Sequence, residues 1–421
     1  MRDVGNALRD EILAAIAAGG PITFARYMEL CLYHPLYGYY TRGLGGGGGR
    51  DYITSSGVHR AYGALVARQT EEMWRRVRRP DPFVFVEFGP GEGRFAQDFL
   101  EEASRHEAFA RALHYLMVEP SPVLAARQRL RLVGRAPVRL DWVSEAQLEG
   151  RRPFEGCLFA NEVLDAMPVH RILGTMDGIR EVYIGSEGEE LKETLLPPST
   201  PAIGRFLEEA EIAPAHGQMI DLNLAAPCWI SWAVGLLSRG YALIVDYGYE
   251  ARELYDATRR RGTLLAYYRH RTSEDFLDRP GHQDLTAHVD FTALRRAAGR
   301  AGGRGLGLIS QGRFLLALGG LDYLPRVEMP VDADVTARVA IQVRAIRERE
   351  ALKELVLPGR MGDRFQVLVL GMGDVPDDLS GLAPPWQRAA GARSIVPVGS
   401  DQVGGGEIAR DGDGLDGLTR V

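Results

Sequence analysis

Short runs of apolar residues alternate with segments of helical periodicity from residue 83 onwards. The apolar runs predict buried strands at residues 83–88, 113–118, 157–160 and 241–245. Between these runs, apolar residues recur with the period of an α-helix over residues 93–103, 119–130 and 230–237. Strands that are apolar throughout must be covered on both faces, so the alternation predicts an α/β fold with a parallel, doubly wound (Rossmann-like) sheet.

The pattern changes on the N-terminal side of this alternation. Helical periodicity at residues 6–18 and 57–77 predicts a mainly helical N-terminal segment, residues 1–80. An aromatic stretch at residues 37–40 and five consecutive glycines at 45–49 lie between the two helices. Because five glycines cannot hold a regular element, we expect this stretch to form a mobile lid over a ligand.

Insertions and a tail complete the predicted organisation. Three short β-like runs within residues 169–197 are separated by glycine-containing turns and predict an antiparallel insertion. Closing strands are expected at residues 306–310 and 365–370, and helices at 313–324 and 331–356. The predicted α/β domain covers residues 81–373, with insertions at 169–222 and 313–357. Residues 374–421 are rich in Gly, Pro and Asp and are expected to be disordered.

The first predicted strand runs into a glycine-rich turn that starts at Glu87 and contains Gly89, Gly91 and Gly93. Glycines let the backbone approach a ligand closely, and the helix that follows presents unpaired N–H groups. A dinucleotide fingerprint needs a third glycine where Arg94 stands, and a P-loop needs Gly-Lys-Ser/Thr. The spacing therefore favours S-adenosyl-L-methionine over a nicotinamide cofactor, with Glu87 organising the loop or binding the cofactor's ammonium group.

The next predicted strand also ends in an acid, Glu119. An acidic residue at this place suits the ribose of an adenosine, because a carboxylate can accept two hydrogen bonds from a diol. Glu119 is thus a second predicted cofactor-binding residue.

Polar side chains also follow the third strand, at Asn161, Glu162 and Asp165. Ligands of open α/β sheets bind outside the carboxyl ends of the strands, so we expect these residues beside the reacting methyl group, with Asn161 also near the cofactor. They can accept hydrogen bonds from an amine or guanidinium, and methyl transfer depends on alignment more than on a strong base. A helix cap is the alternative for Asn161 and Asp165, and it suits Asp165 better than Asn161. His288, paired with Asp290, is a fourth catalytic candidate, with a helix cap as the alternative for the pair.

Charge and cysteine content narrow the class of protein. The chain has 50 basic and 56 acidic residues, a net charge of −6, which does not indicate a nucleic-acid surface. It lacks an apolar run of about 18 residues and a signal-like N-terminus, and we expect a cytoplasmic protein without a membrane partner. Cys31, Cys157 and Cys228 are widely spaced, so we expect a reducing compartment and no metal site.

Taken in order, these motifs resemble the MidA (DUF185) family, the bacterial relatives of the mitochondrial complex I assembly factor methyltransferases. The resemblance covers roughly residues 20–373. The segments that carry it are residues 21–28, 37–40, 51–55, 87–93, 161–168, 246–249, 262–268, 284–291 and 365–368.

The resemblance implies a class I methyltransferase fold, S-adenosyl-L-methionine as cofactor and an arginine nitrogen of a protein as acceptor. A small-molecule methyltransferase and a non-catalytic assembly factor that keeps the fold are the alternatives, and oligomeric state stays open. After Ser55 the family pattern continues with an acidic residue where this chain has Gly57. This departure bears on the substrate, and His59 is the residue that could replace the lost contact.

Overall fold

The computed structural model describes residues 4–45, 54–134, 138–327, 329–330 and 334–384. The α-helices are α1 (Val4–Gly19), α2 (Phe24–Tyr33), α3 (Ser55–Val58), α4 (Ala61–Arg76), α5 (Arg94–Ala103), α6 (Glu107–Ala112), α7 (Pro122–Leu132), α8 (Glu145–Glu149), α9 (Pro201–Ala210), α10 (Ala225–Gly235), α11 (Ala251–Leu254), α12 (Phe291–Arg300), α13 (Gln311–Ala317), α14 (Val335–Val356) and α15 (Met361–Arg364). The strands are β1 (Ile22–Thr23), β2 (Phe83–Phe88), β3 (Leu113–Val118), β4 (Arg139–Trp142), β5 (Phe154–Asn161), β6 (His170–Thr175), β7 (Gly178–Glu187), β8 (Glu190–Leu196), β9 (Met219–Leu222), β10 (Leu237–Tyr249), β11 (Leu265–Tyr268), β12 (Arg271–Ser273), β13 (Asp284–Thr286), β14 (Val289–Asp290), β15 (Gly303–Ser310) and β16 (Phe365–Met372).

The central sheet has the strand order β15-β16-β10-β5-β2-β3-β4, and the short β14 pairs with the end of β10. Strands β2, β3, β4, β5 and β10 are parallel to one another. β16 runs antiparallel to both of its neighbours, β10 and β15. The predicted doubly wound α/β fold is therefore confirmed, with one reversed strand whose direction a run of apolar residues could not reveal.

Successive residues of the central strands face two separate cores, because side chains alternate across a strand. In β2, Phe85 packs with the aromatic residues of α5, including Phe99, its ring centroid 4.5 Å away. Its neighbour Val86 joins the opposite core, where Ile230 of α10 and Leu294 of α12 are buried. This two-sided burial accounts for the continuous apolar strands in the sequence.

The predicted antiparallel insertion is present as a second sheet of order β1-β7-β6-β9, with β8 paired to β7. The N-terminal segment contributes its edge strand β1. A third sheet, β12-β11-β13, packs against α1 and α2 through a cluster that includes Leu8, Phe24 and Leu285.

Several elements differ from the prediction. The helix expected over 57–77 is interrupted at His59 and Arg60, so that α3 and α4 are separate. The helix expected at 313–324 ends at Ala317 and is followed by a 3₁₀-helix, Gly320–Tyr323. Residues 374–384, placed in the tail by the sequence, bury Val375 and Leu379 in the main core. The remainder of the predicted tail and residues 46–53 of the predicted lid lie outside the described residues. In the described part of the chain, no helix is long and apolar enough to cross a membrane.

Candidate active site

A cavity of about 450 Å³ lies at the carboxyl ends of β2, β3 and β5. β3 pairs with one edge of β2 and β5 with the other, so the strand order reverses at this point and the loops diverge into a crevice. Gly93, Asp165 and His288 do not line it. The predicted residues that do are Glu87, Gly89, Gly91, Glu119, Asn161 and Glu162.

The glycine turn after β2 depends on left-handed backbone conformations. Gly89, Gly91 and Gly93 have φ angles of +62°, +54° and +74°, which residues with a side chain rarely adopt. A Cβ atom on Gly89 would lie 2.9 Å from Cγ2 of Val163. Gly93 is the N-cap residue of α5, so it sets the start of the helix while Gly89 and Gly91 form the wall of the cavity.

Glu87 is almost completely buried at the end of β2. Its Oε2 accepts a hydrogen bond of 2.6 Å from the hydroxyl of Tyr115 on the neighbouring strand. Burial raises the pKa of Glu87 to about 8, and the negative charge of Glu119 adds to this rise. A cationic group in the cavity would stabilise the ionised carboxylate.

Glu119 is held in place by two donors. Its Oε1 accepts from the backbone N–H of Ser121 at 2.8 Å, and its Oε2 from Nε2 of Gln128 at 3.0 Å. The same Gln128 nitrogen donates to the carbonyl of Gly91 at 2.7 Å, and its Oε1 accepts from Nε1 of Trp142 at 2.8 Å. Burial raises the pKa of Glu119 to about 7, against the effect of both hydrogen bonds. One buried amide thus connects the glycine turn, the acid after β3 and the end of β4.

Asn161 and Glu162 stand together at the end of β5. Glu162 has a φ of +55°, unusual for a residue with a side chain, and its Oε1 accepts from Nδ2 of Asn161 at 2.9 Å and from the backbone N–H of Ser55 at 3.1 Å. The hydroxyl of Tyr62 donates to Oδ1 of Asn161. Burial, and then the charge of Asp165, raises the pKa of Glu162 to about 8.

Asp165 lies behind this wall and does not cap a helix. Residues 162–167 form bends and a turn that lead into β6, so the alternative of a helix cap at Asp165 is wrong. Its backbone N–H donates to Oδ2 of Asp246 at 3.2 Å, and its carboxylate accepts from the hydroxyl of Tyr247. Burial raises the pKa of Asp165 to about 6. Burial, with the charges of Asp165 and Glu162, raises the pKa of Asp246 well above its usual value.

His288 lines a different cavity, together with Arg259 and Arg260. Its ring packs against Tyr247 with the centroids 5.3 Å apart, and Tyr247 separates it from Asp165. Burial, and then the charge of Arg259, lowers the pKa of His288 to about 4, so the imidazole is neutral at pH 7. Its companion Asp290 is the N-cap of α12, where its side chain accepts from the N–H of Ala293 at 3.0 Å. The helix cap that the sequence offered as the alternative is therefore present at Asp290.

Aromatic side chains form part of the cavity wall. Tyr33 and Tyr40 stack with their ring centroids 5.6 Å apart, and the Tyr33 hydroxyl donates to the carbonyl of Ala166 at 3.0 Å. Tyr40 donates to the buried carboxylate of Asp284 at 2.8 Å. Trp229 of α10 lines the cavity next to Phe88. The aromatic stretch that the sequence predicts as a lid therefore contacts the cavity at Tyr40.

Sequence reasoning missed Gln128 and Tyr62 as members of the site. The side chain of Gln128 is completely buried. The sequence signal that could have identified it is a polar residue on the apolar face of a predicted helix. Gly57, where this chain departs from the family pattern, lies in α3. Thr54 and Ser56, which precede it in the sequence, line the cavity. His59 does not line it, and its Nδ1 accepts from the N–H of Ala61 at 3.1 Å.

Comparison with known proteins agrees with this geometry. Residues 65–309 match the model of a family described as S-adenosyl-L-methionine-dependent methyltransferase. The mitochondrial protein arginine methyltransferase NDUFAF7 of Rattus norvegicus is 30% identical over 390 residues, which cover 85% of this chain and 83% of the relative. The same-named protein of Xenopus tropicalis is 29% identical over 388 residues, which cover 86% of this chain and 85% of the relative.

A solved structure extends the agreement to the fold. A COG1565 superfamily protein of Burkholderia thailandensis, bound to S-adenosyl-homocysteine, has a TM-score of 0.77 and 30% identity, covering 90% of this chain and 95% of that one. S-adenosyl-homocysteine is what remains of S-adenosyl-L-methionine after its methyl group has left. The class I methyltransferase fold and the cofactor expected from the sequence are thus confirmed, and the chain belongs to this family of S-adenosyl-L-methionine-dependent methyltransferases.

Proposed function

We propose that the protein transfers a methyl group from S-adenosyl-L-methionine to a guanidinium nitrogen of an arginine in a protein substrate. The names of the curated relatives support the acceptor. The observation that carries the proposal is the carboxylate of Glu162, buried in the cavity wall and held by Ser55 and Asn161.

The residues of the first cavity fit the cofactor by their chemistry. The left-handed turn at Gly89 and Gly91 keeps the wall free of side chains where the amino-acid part would approach, and Glu87 offers a carboxylate for its ammonium group. Glu119 has the acceptor oxygens that a ribose diol requires. When bound, S-adenosyl-L-methionine supplies a methyl group on a positively charged sulfur.

Several buried acids of this region favour a cationic acceptor. Glu162 lines the cavity, Asp165 and Asp246 lie behind it, and Asp284 receives the hydroxyl of Tyr40. Burial of carboxylates is unfavourable unless a cation or a proton accompanies them. A guanidinium group that enters here is therefore stabilised electrostatically by these carboxylates. Arginine also matches a carboxylate with two parallel hydrogen bonds, which fixes the direction of the reacting nitrogen.

In this proposal Glu162 has two tasks. It orients the guanidinium so that one nitrogen faces the methyl group, which is the alignment an in-line displacement requires. Glu162, ionised beside the bound guanidinium, also takes the proton that the methylated nitrogen releases, and burial, which raises its pKa, favours keeping that proton. Asn161 keeps the carboxylate in place through Oε1, and Tyr62 keeps Asn161 in place.

The direct test is incorporation of a radioactive methyl group. The full chain is incubated with methyl-labelled S-adenosyl-L-methionine and a host lysate, and labelled proteins are hydrolysed and analysed for methylarginines. Label in methylarginine is the expected result. Label on another protein residue overturns the arginine acceptor. Label confined to small metabolites indicates a biosynthetic enzyme, and no label from a protein that binds the cofactor indicates a non-catalytic assembly factor.

The cellular setting stays a prediction. The sequence favours the cytoplasm and no nucleic-acid or membrane partner, whereas the curated relatives are named as mitochondrial proteins. Fractionation of cells that express the chain with a C-terminal tag would test the cytoplasmic location, and recovery of the tagged protein in the membrane pellet would contradict it.

A further inference from the structure

A second cavity, of about 470 Å³, lies where the loop of residues 259–264 meets the antiparallel insertion. Three consecutive arginines, Arg259, Arg260 and Arg261, line it together with His288. The cavity also contains the start of the family-matching segment 262–268, which the proposed reaction does not use.

The three arginine side chains are positioned mainly by neutral groups. Nε of Arg259 donates to the carbonyl of Glu253 at 3.0 Å, and Nη1 of Arg260 donates to the carbonyl of His216 at 2.8 Å. Arg261, with 82% of its side chain exposed, reaches Glu274 at 3.2 Å. A carbonyl orients a guanidinium group without cancelling its charge. The carboxylate of Glu253 also lies 3.9 Å from Arg259, so among the described residues Arg260 is the arginine of this wall that is held by a neutral group and faces no acid.

The backbone that presents these arginines is fixed. Gly262 has a φ of +73°, and a Cβ atom there would lie 2.3 Å from Oδ2 of Asp221. That buried carboxylate accepts from the N–H groups of Thr263 and Leu264, at 2.6 and 2.9 Å. The carbonyl of Arg260 accepts from the N–H of Met219 in β9 at 3.0 Å. The arginine run is thus attached to the insertion sheet, unlike a mobile charged loop on a solvated surface.

The described lining of this cavity has four arginines and one acid, Glu274. Arg171, a fourth arginine of the lining, is paired with Asp221 at 3.3 Å and Glu193 at 2.8 Å. Of the other three arginines, Arg261 pairs with Glu274 at 3.2 Å, and Arg259 lies 3.9 Å from Glu253, which is outside the lining. Nδ1 of His288 is buried without a hydrogen-bond partner in the described part of the chain, and it can donate or accept according to tautomer.

We propose that this second cavity is a binding site for a multivalent oxyanion, recognised through Arg259, Arg260 and Arg261 with His288 at its inner wall. Guanidinium groups match carboxylate and phosphate oxygens in the same geometry, so the ligand chemistry is shared by an acidic polypeptide stretch and by a free phosphate compound. The site is separate from the methyl-transfer cavity: His288 packs against Tyr247, whose hydroxyl donates to Asp165 behind the wall of that cavity.

Isothermal titration of the full chain with two probes tests the site: tripolyphosphate and an N-acetylated hexaglutamate peptide. Saturable binding of at least one probe is expected. Binding of the peptide alone assigns the site to acidic polypeptide, and binding of tripolyphosphate alone assigns it to a phosphate compound. Absence of saturable binding by both probes at low ionic strength overturns the proposal.

A matched pair of variants separates a built site from general attraction by charge. Arg260→Gln/Arg261→Gln should weaken probe binding by about tenfold, because it removes two charge-assisted donors. Arg344→Gln/Arg347→Gln, which removes the same charge from the exposed face of α14, should change it less than about twofold. Equal weakening by both pairs contradicts the proposal.

Both pairs should bind S-adenosyl-L-methionine as the wild type does. If the first pair does not fold, the exposed single variant Arg261→Gln replaces it, with an expected loss of about threefold.

Discussion

The side-chain nitrogen of Gln128 donates to Oε2 of Glu119 at 3.0 Å, so that an amide from α7 holds the acid that follows β3. The same nitrogen reaches the carbonyl of Gly91 at 2.7 Å. The two parts of the sequence that were predicted to bind opposite ends of the cofactor are therefore connected through a residue that contacts both.

Gln128→Leu should lower the affinity for S-adenosyl-L-methionine by about tenfold, because Glu119 and the glycine turn lose their common donor. It should also destabilise the fold by about 1–3 kcal/mol, because the indole N–H of Trp142 loses its acceptor. Calorimetric titration and chemical unfolding measure the two effects. Gln97→Leu on α5, which does not line the cavity, is the control and should leave the affinity unchanged. Wild-type affinity in Gln128→Leu would show that this network does not position the cofactor site.

Gly91→Val should abolish cofactor binding, because a β-branched side chain at a φ of +54° must move the turn. Gly134→Val is the matched control, since Gly134 has a φ of +78° and no atom within 4 Å of an added Cβ. Both variants should lose about 1–2 kcal/mol of stability from the strained backbone. Titration of S-adenosyl-L-methionine into both folded variants is the measurement, and equal affinities would contradict the assignment of the glycine turn.

Glu162→Gln should keep cofactor affinity within a few-fold and lower the rate of methyl transfer by about a hundredfold, as expected when one aligned electrostatic group is lost. Glu149→Gln, on the exposed face of α8, should transfer at the wild-type rate. Thermal stability, affinity and single-turnover rate are measured on one preparation of each protein. Glu162 is a structural acid if stability and affinity fall together while the folded fraction turns over normally.

Asp165→Asn should lower methyl transfer less than Glu162→Gln does, because Asp165 does not line the cavity and acts through Tyr247 and Asp246. An effect within about tenfold on the rate is expected for such a positioning residue. The single-turnover rate across pH is the readout. A loss as large as that of Glu162→Gln would place Asp165 in direct contact with the acceptor.

The stability of the fold should fall as pH rises through neutrality. The pKa of Glu162 is raised from 4.5 to about 8 in the folded chain, so its contribution favours folding at low pH and is lost as the pH approaches 8. Glu162→Gln removes this one titrating group. The free energy of unfolding should then fall less steeply with pH between pH 5 and 8, by at most about 1.4 kcal/mol per pH unit. Urea unfolding of wild type and Glu162→Gln at several pH values measures it. Parallel profiles for the two proteins would show that Glu162 is ionised in the folded state.

Cofactor binding should protect the segment around the aromatic wall from hydrogen exchange. Tyr40 and Gly45, which precede residues 46–53 in the sequence, line the cavity. Thr54, which follows them, lines it as well. A bound ligand contacts both ends of this segment, so peptides from residues 37–54 should exchange more slowly with cofactor than without. Peptides from α14 serve as the unaffected control. Equal exchange in both states would indicate an ordinary surface loop.

The parts of the site that follow strands could be predicted, and those that depend on packing between distant elements could not. Gly89 and Glu119 stand directly after apolar runs, so strand topology alone brings them to one edge of the sheet. Gln128 and Tyr62 reach the site from helices, and their contacts depend on how α7 and α4 are rotated. His288 was predicted beside the methyl group, because its motif follows a strand, but it lines the second cavity and packs against Tyr247.

The antiparallel position of β16 between β10 and β15 has a consequence for synthesis of the chain. β16 supplies the hydrogen-bonding partner of both neighbours, yet residues 365–372 leave the ribosome long after residues 237–249. Until then, β10 and β15 each lack the partner that β16 supplies, and unpaired strand edges are surfaces on which chains aggregate. A transcript truncated before this strand should therefore yield an insoluble product that engages chaperones, even though every residue of the methyl-transfer cavity has already been translated.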